Sequence, residues 1–207
     1  MNVYSLISEG VRRELQADRI YGVVVGVVSN NKDDDGLNRV KVTFPWLSDD
    51  EESHWARIAC FMAGEERGAF FLPEVGDEVL VAFEHGDVNR PYVLGALWNG
   101  VDKPPLTNGD GKNNVRLIQS RSGHKIVLDD TSGSEKIEIK DKTGKNSIVW
   151  DTSSNTIKVT TDKDITLTAP QGKISLEAQE VAIKSSANTS LEASGTMTVK
   201  GATVNIN

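Results

Sequence analysis

The stretch that decides the fold is KIVLDDTSGSEKIEIKDKTGKNSIVWDTSSNTIKVT, residues 125–160. Apolar residues stand in pairs two apart, Ile126/Leu128, Ile137/Ile139, Ile148/Trp150 and Ile157/Val159, with Gly, Asn, Asp, Ser and Lys filling the gaps. A period of two is that of a β-strand with one face buried. The same rhythm reaches back to Val115/Leu117 and forward through Ile165/Leu167, Ile174/Leu176, Val181/Ile183, Thr189/Leu191, Met197/Val199 and Val204/Ile206. Of these 22 positions only Thr189 is not apolar, and the spacing between pairs shortens toward the C-terminus.

Such a ladder cannot stand alone. Burying side chains of this kind yields roughly 1.5 to 3 kcal/mol each, while ordering the backbone costs roughly 1 to 2 kcal/mol for every residue. A single ladder leaves its apolar face uncovered, and no second amphipathic set follows that could cover it. Other copies of the same ladder are the remaining cover. Strands with room for two inward side chains suit a narrow prism of three chains, a triple-stranded β-helix, and three-fold closure removes exposed strand edges. The predicted trimer core is Ile126, Leu128, Ile137, Ile139, Ile148, Trp150, Ile157, Val159, Ile165, Leu167, Ile174, Leu176, Val181, Ile183, Leu191, Met197, Val199, Val204 and Ile206. The competing architecture is a single-chain parallel β-solenoid; it calls for a longer coil-level repeat with fixed corner residues, and none is found.

Ahead of the repeat the pattern differs. Tyr21–Ser29, Arg39–Phe44, Trp55–Phe61, Glu78–Glu84 and Tyr92–Leu97 read as five strands separated by turn-forming loops, which suits a small closed barrel of the five-stranded OB type. Ten of the twelve aromatic residues lie between Tyr21 and Gly100, so this segment has its own core. Val3, Leu6, Ile7, Val11 and Leu15 form one apolar stripe on a predicted short helix, either packed on its own domain or docked on another subunit. The organisation is therefore mainly β: an N-terminal helical segment over 1–19, a barrel over 20–100, a Gly- and Pro-bearing linker over 101–114, and a β-helical needle over 115–207.

Charge divides the same way. Up to Gly109 there are 10 Lys and Arg against 18 Asp and Glu; beyond it, 13 against 12. An acidic first half disfavours binding to nucleic acid or anionic membranes by charge. No secretory leader is expected at the N-terminus and no run approaches the ~18 apolar residues of a membrane span, so synthesis in the cytoplasm without a signal peptide is the expectation.

Candidate chemistry is sparse. Asn31, Asp33, Asp35 and Gly36 imitate the start of a calcium loop, but the twelfth position, which needs a carboxylate, is Val42; a solvated hairpin loop is the expectation. His54, His85 and His124 lack metal-ligand spacing. Gly109-Asp-Gly111 lacks the Lys-Ser/Thr of a phosphate loop. Asp49–Glu52 is expected to be a solvated loop. Glu65, Glu66, Glu74, Asp77 and Glu78 single out no acid–base pair. Cys60, in the apolar run Ile58–Met62, is expected to be a buried structural thiol. No catalytic residue, cofactor or metal is expected.

Several segments resemble the spike family of contractile injection machines, comprising the phage baseplate assembly protein V group and the related VgrG proteins of type VI secretion. They are Tyr21-Gly-Val-Val-Val-Gly-Val-Val28, Gly36-Leu-Asn-Arg-Val-Lys-Val-Thr-Phe-Pro-Trp46, Trp55-Ala-Arg-Ile58, and Leu72-Pro-Glu-Val-Gly-Asp-Glu-Val-Leu-Val-Ala-Phe-Glu84. Gly86-Asp-Val-Asn-Arg-Pro91, Val93-Leu-Gly-Ala-Leu-Trp-Asn-Gly100 and Ser122-Gly-His-Lys-Ile126 continue the likeness. The resemblance implies an OB domain leading into a triple-stranded β-helix, in a homotrimeric puncturing spike assembled at the tip of a phage-tail-like particle or secretion apparatus. The VgrG members carry a large hub region before the OB domain, whereas some twenty residues precede it here. A separate hub is therefore the expected partner, with the Val3/Leu6/Ile7/Val11/Leu15 stripe as its contact. Some phage spikes end in a histidine-bearing, iron-binding apex; no His follows His124, so a tip protein resembling the PAAR-repeat caps is expected on Val204, Asn205, Ile206 and Asn207. The target membrane would be met only by puncture. The alternative is an OB-fold ligand-binding module carried on a β-helical stalk.

Overall fold

The computed structural model describes residues 19–206, in two units divided between Asn113 and Asn114. The predicted N-terminal helix and its apolar stripe lie outside the described residues, as does Asn207.

In the first unit, β1 (Val24–Asn30) pairs antiparallel with both β2 (Lys41–Phe44) and β7 (Glu78–Phe83). On one side β2 continues to β3 (Ser48–Glu52); on the other β7 continues to β8 (Pro91–Ala96). The short β4 (Arg57–Ile58) then runs parallel to β8. One residue earlier Ala56 exchanges two backbone hydrogen bonds with Val40 at the head of β2, at 2.7 and 3.1 Å. Since β3 and β4 are successive parts of residues 48–58, the pairing path returns to β2, and the sheet is curled in the manner of an OB fold.

Alternation drives the curl. Val42 and Phe44 on β2, Val79, Val81 and Phe83 on β7, and Val93 on β8 point inward with Val28, Val40 and Ala56, and all are buried. The rings of Phe44 and Phe83 meet at 5.8 Å between centroids. Gly26 is required where β1 crosses β2: a Cβ there would collide with the Val42 side chain. Proline opens β8, a strand position that tolerates its missing N–H.

Three expectations for this unit are corrected. Asp49–Glu52 is not a loop but most of β3, whose last carboxylate, Glu52, pairs with Lys41 at 2.9 Å. The predicted strand Trp55–Phe61 stays in the sheet only to Ile58. Beyond it the chain leaves the barrel and returns at Leu72, forming a small hairpin of β5 (Ala63–Gly64) and β6 (Arg67–Gly68). Cys60 travels with that excursion and is exposed, not buried; its thiol donates to the Met62 carbonyl at 3.3 Å.

The second unit begins as a five-stranded antiparallel meander: β9 (Val115–Gln119), β10 (Lys125–Asp129), β11 (Lys136–Lys140), β12 (Ser147–Asp151) and β13 (Thr156–Thr160). Each of the four connections contains a residue at positive φ: Gly123, Gly133, Gly144 and Asn155. These are the residue types that accept that conformation at least cost. Each of the last three turns is gripped by an aspartate, the last residue of the preceding strand at Asp129 and Asp151 and the first residue after it at Asp141. Asp129 accepts bonds from Thr131, Asp141 from Thr143 and Asn146, and Asp151 from Ser153 and Ser154. After Thr160 the alternation of apolar residues continues, but no further strand forms within the described part of the chain. The expected triple-stranded β-helix is thus seen only as a single-chain meander followed by an unpaired segment.

Candidate functional site

The register of the meander builds two cross-strand rows. Ile126 faces Ile139, which faces Ile148, which faces Val159; beside them Leu128 faces Ile137, then Trp150, then Ile157. Because every hairpin keeps the pairs in phase, all eight residues share one face. This is the arrangement in which cross-strand neighbours reinforce one another. Yet that face is open in the single chain. Ile126, Leu128, Ile137 and Ile139 are 42–45% exposed, Ile157 67% and Val159 54%. The opposite face is capped at its ends by Lys125, Asp129, Lys136, Lys140 and Asp151, with a Glu138–Lys140 ion pair at 2.6 Å.

At β9 the pattern read from sequence slips. Val115 and Leu117 do not extend the rows; Ile118 faces Ile126 and Arg116 faces Leu128, so Ile118 joins the apolar face instead. The turn Ser120–His124, closed by Ser120 and Gly123 backbone bonds at 2.9 Å, fixes Gln119 opposite Lys125. A one-residue change of register moves a strand's side chains to the other face. The Arg116 guanidinium is turned to the edge, where it meets Asp130 at 3.1 Å.

Of the remaining predicted core residues, Ile165, Leu167, Ile174, Leu176, Val181, Ile183, Leu191, Met197, Val199, Val204 and Ile206 are all exposed, Ile206 most at 91%. Their segment makes a backbone turn from the Gly172 N–H to the Ala169 carbonyl at 3.3 Å, and no strand ladder among the described residues. Asn205 and the neighbouring Val204 are likewise exposed at the end of the described chain.

The loop over 31–39 has a different chemistry from the one its spacing suggests. Arg39 donates through Nε and Nη2 to both oxygens of Asp33, at 2.7 and 2.8 Å, and through Nη2 to Asp35. These hydrogen bonds hold the Asp33 carboxyl well below the usual carboxylate range and raise the guanidinium further. Arg39 and Lys41 also lie over the Trp55 ring, at 5.7 and 5.5 Å. The two carboxylates are therefore engaged in closing a loop. His54, His85 and His124 lie on separate parts of the chain; His124 Nδ1 accepts the Lys142 N–H at 3.3 Å.

The aspartate grips were missed in the sequence, although the signal was present as Asp-x-Thr131, Asp-x-Thr143 and Asp-x-Ser153. A carboxylate two residues before a hydroxyl can accept from that hydroxyl and from the backbone N–H of the same residue or the next. At Asp141 partial desolvation acts upward, but bonds from Thr143, Asn146 and Gly144 outweigh it and hold the carboxyl at about 2. The Thr131 hydroxyl and N–H lower Asp129, and Ser153 and Ser154 lower Asp151.

Comparison with known proteins agrees with these boundaries. Residues 24–98 match the injector OB domain of type VI secretion systems and phage baseplates, and residues 114–187 match the phage baseplate V C-terminal trimerisation domain. The type VI secretion system spike protein VgrG3 of Vibrio cholerae is 33% identical over 111 residues, covering 50% of this chain and 11% of that protein. VgrG1a of Pseudomonas aeruginosa is 29% identical over 143 residues, 64% of this chain and 22% of the relative. The actin cross-linking toxin VgrG1 of Vibrio cholerae is 30% identical over 111 residues, 50% of this chain and 10% of its own length. The chain thus spans between a tenth and about a fifth of these relatives. The matched part holds the OB and trimerisation domains in the same order as the curled sheet and the meander, and the chain belongs to the phage baseplate V and VgrG-like family of spike proteins.

Proposed function

We propose that three copies of this chain form the central spike of a contractile, phage-tail-like injection system, a structural puncturing element and not an enzyme. The observation that carries the proposal is the pair of apolar rows standing open on the meander, continued by an alternating segment that finds no strand partner in its own chain among the described residues. Exposed apolar alternation over some ninety residues is an incomplete core, and the match of residues 114–187 to a trimerisation domain supports completion by two further copies. The trimer core is Ile126, Leu128, Ile137, Ile139, Ile148, Trp150, Ile157 and Val159, followed by the alternating residues from Ile165 to Ile206. Ile118 joins it from β9.

Interwound chains resist force because no one strand can leave without disrupting its neighbours, so unfolding is slow. A hub protein seats the N-terminal end through the Val3/Leu6/Ile7/Val11/Leu15 stripe. A PAAR-like protein caps the strand end at Val204–Asn207. The spike is made in the cytoplasm, joins the tip of the apparatus, and meets the target membrane by mechanical passage alone.

Light scattering on the full-length protein tests this. The expected mass is three times the 22.5 kDa of one chain. A stable, monodisperse monomer at micromolar concentration would overturn the proposal.

A further inference from the structure

Two Asn-Gly pairs occur in the sequence, Asn99-Gly100 and Asn108-Gly109, and both lie between the end of β8 and the point where the two units divide. In such a pair the backbone nitrogen after the asparagine can attack the side-chain amide carbon, because glycine has no Cβ to obstruct the approach. The structure treats the two pairs differently. Asn99 is partly buried and closes a ring over residues 99–102. Its Oδ1 accepts the Val101 and Asp102 N–H groups at 2.8 and 2.7 Å, its Nδ2 donates to the Asp102 carboxylate at 3.3 Å, and its own N–H donates to the Asp102 carbonyl at 3.0 Å. Asn108 is exposed. Its Oδ1 accepts the Asn113 N–H at 2.7 Å, and its main-chain carbonyl accepts the Gly111 N–H at 3.1 Å. Among the described residues neither Asn108 Nδ2 nor the Gly109 N–H has a partner, and a Cβ at Gly109 would meet nothing within 4 Å. Asn108 thus has what an internal displacement needs: a nucleophile free of other bonds, a carbonyl polarised by a donor on its oxygen, and a leaving nitrogen open to solvent.

We infer that Asn108 is a site of spontaneous covalent modification and that Asn99 is protected from it. The Gly109 nitrogen gives its proton to solvent and bonds to Asn108 Cγ, while the Asn113 N–H stabilises the negative charge gathering on Oδ1. The Cγ–Nδ2 bond then breaks and ammonia leaves. Water opens the resulting cyclic imide at either carbonyl, giving aspartate or its β-linked isomer. The net change is one water taken up and one ammonia released. Both products add a negative charge beside Asp110, in the half of the chain that is already acidic. The β-linked product also routes the main chain through the former side chain. It lengthens the connection between the units by one methylene and turns the oxygen bonded by Asn113 into a main-chain carbonyl. At Asn99 the same attack requires the side chain to leave its three partners on Val101 and Asp102 first.

Peptide mass mapping reads both sites at once. Full-length protein is held for several weeks at mildly alkaline pH, where the attacking nitrogen loses its proton more readily, and is then digested with pepsin in acid. The Asn108 peptide is expected to gain the mass difference between amide and acid and to split into two chromatographic peaks of equal mass. Conversion at Asn108 is expected to run on the order of tenfold faster than at Asn99, the factor set by one to two further hydrogen bonds released before attack. In guanidinium chloride the two sites are expected to convert at similar rates, because the folded loops are what separate them. Gly109→Ala sets a methyl group beside the attacking nitrogen; the position is open and not at positive φ, so the loop accepts alanine, and conversion is expected to slow by at least as large a factor. Conversion at Asn99 that equals or exceeds that at Asn108 in the folded protein, an unchanged mass at both sites, a difference that persists in denaturant, or a rate indifferent to Gly109→Ala overturns the assignment.

Discussion

The barrel and the shaft are written in the same alternating code and end in opposite states. In the barrel, Val42, Val79, Val81 and Val93 are 0% exposed within one chain. In the shaft, Ile126, Leu128, Ile137 and Ile139 occupy the corresponding alternate strand positions and remain 42–45% exposed. The difference is topological. The parallel pairing of β4 with β8 and the Val40–Ala56 bridge bring the first sheet back on itself, so its inner face is enclosed. The meander β9–β13 has no such return among the described residues, and its apolar face stays open. One chain encloses the first core and leaves the second uncovered, which is what the proposed trimer would complete.

The most damaging test of that contrast is Ile139→Asp with Ile148→Asp. The two positions are cross-strand neighbours in one row. In a three-chain core each copy would bring two carboxylates to the axis, and an unpaired buried charge costs several kcal/mol. Light scattering is expected to show complete loss of the trimer, with the barrel's own thermal transition retained. A trimer that survives these changes would place the rows outside the core.

Much of this contrast is legible in the amino-acid sequence. Pairs such as Ile137/Ile139 announce a strand because a strict period of two belongs to the extended chain and not to a helix, and the Pro- and Gly-bearing stretch before Asn114 falls close to where the units divide. What stayed hidden depended on phase and on chain path. Val115/Leu117 fits the same spacing as its successors, but the turn at Ser120–His124 sets β9 one residue out of step. Ile58–Met62 reads as buried because it is apolar, yet β4 ends at Ile58 and the rest leaves with the excursion. Asp49–Glu52 reads as loop because it is acidic, yet its backbone pairs with β2 as the edge strand of the sheet. Asp-x-Thr was overlooked because its meaning lies in a hydrogen bond, not in hydropathy.

Gly26→Ala perturbs only the enclosed region. The new methyl group would overlap the Val42 side chain and crowd the Phe44 ring, and overpacking a tight core costs about 1–3 kcal/mol. Differential scanning calorimetry is expected to show the barrel transition moving down while the trimer mass stays unchanged. A shift in both transitions would mean that the two regions melt as one.

Acid should act on both regions through their aspartates, and the direction follows from linkage. Asp141 is held at about 2 in the folded chain, against an ordinary value of about 3.9 for the unfolded one. The proton therefore prefers the unfolded state, and the stabilisation is complete above about pH 4 and is lost as pH falls from there through about 2. Asp33 in the barrel is lowered in the same sense by Arg39. Asp141→Asn is expected to lower shaft stability at pH 7 and to flatten its decline between pH 4 and pH 2, with the barrel's acid response unaltered. Circular dichroism of urea melts across that window reads both.

The smallest expected effect isolates the turns from the core. Gly123, Gly133 and Gly144 meet the demand for positive φ without a side chain, whereas Asn155 meets it with one. For a residue with Cβ the left-handed conformation costs up to roughly 1–2 kcal/mol, less for asparagine, and glycine offsets part of any gain through its greater unfolded-state freedom. Asn155→Gly is therefore expected to change shaft stability by less than about 1 kcal/mol. Gly144→Ala, which installs a Cβ at φ 72°, is expected to lose about 1 kcal/mol or more. If shaft stability resides in the shared core and not in the hairpins, neither change alters the trimer's mass, and both leave its unfolding rate within about an order of magnitude of the original. A large rise in unfolding rate from Gly144→Ala alone would show that the hairpin turns, and not the rows they align, hold the shaft together.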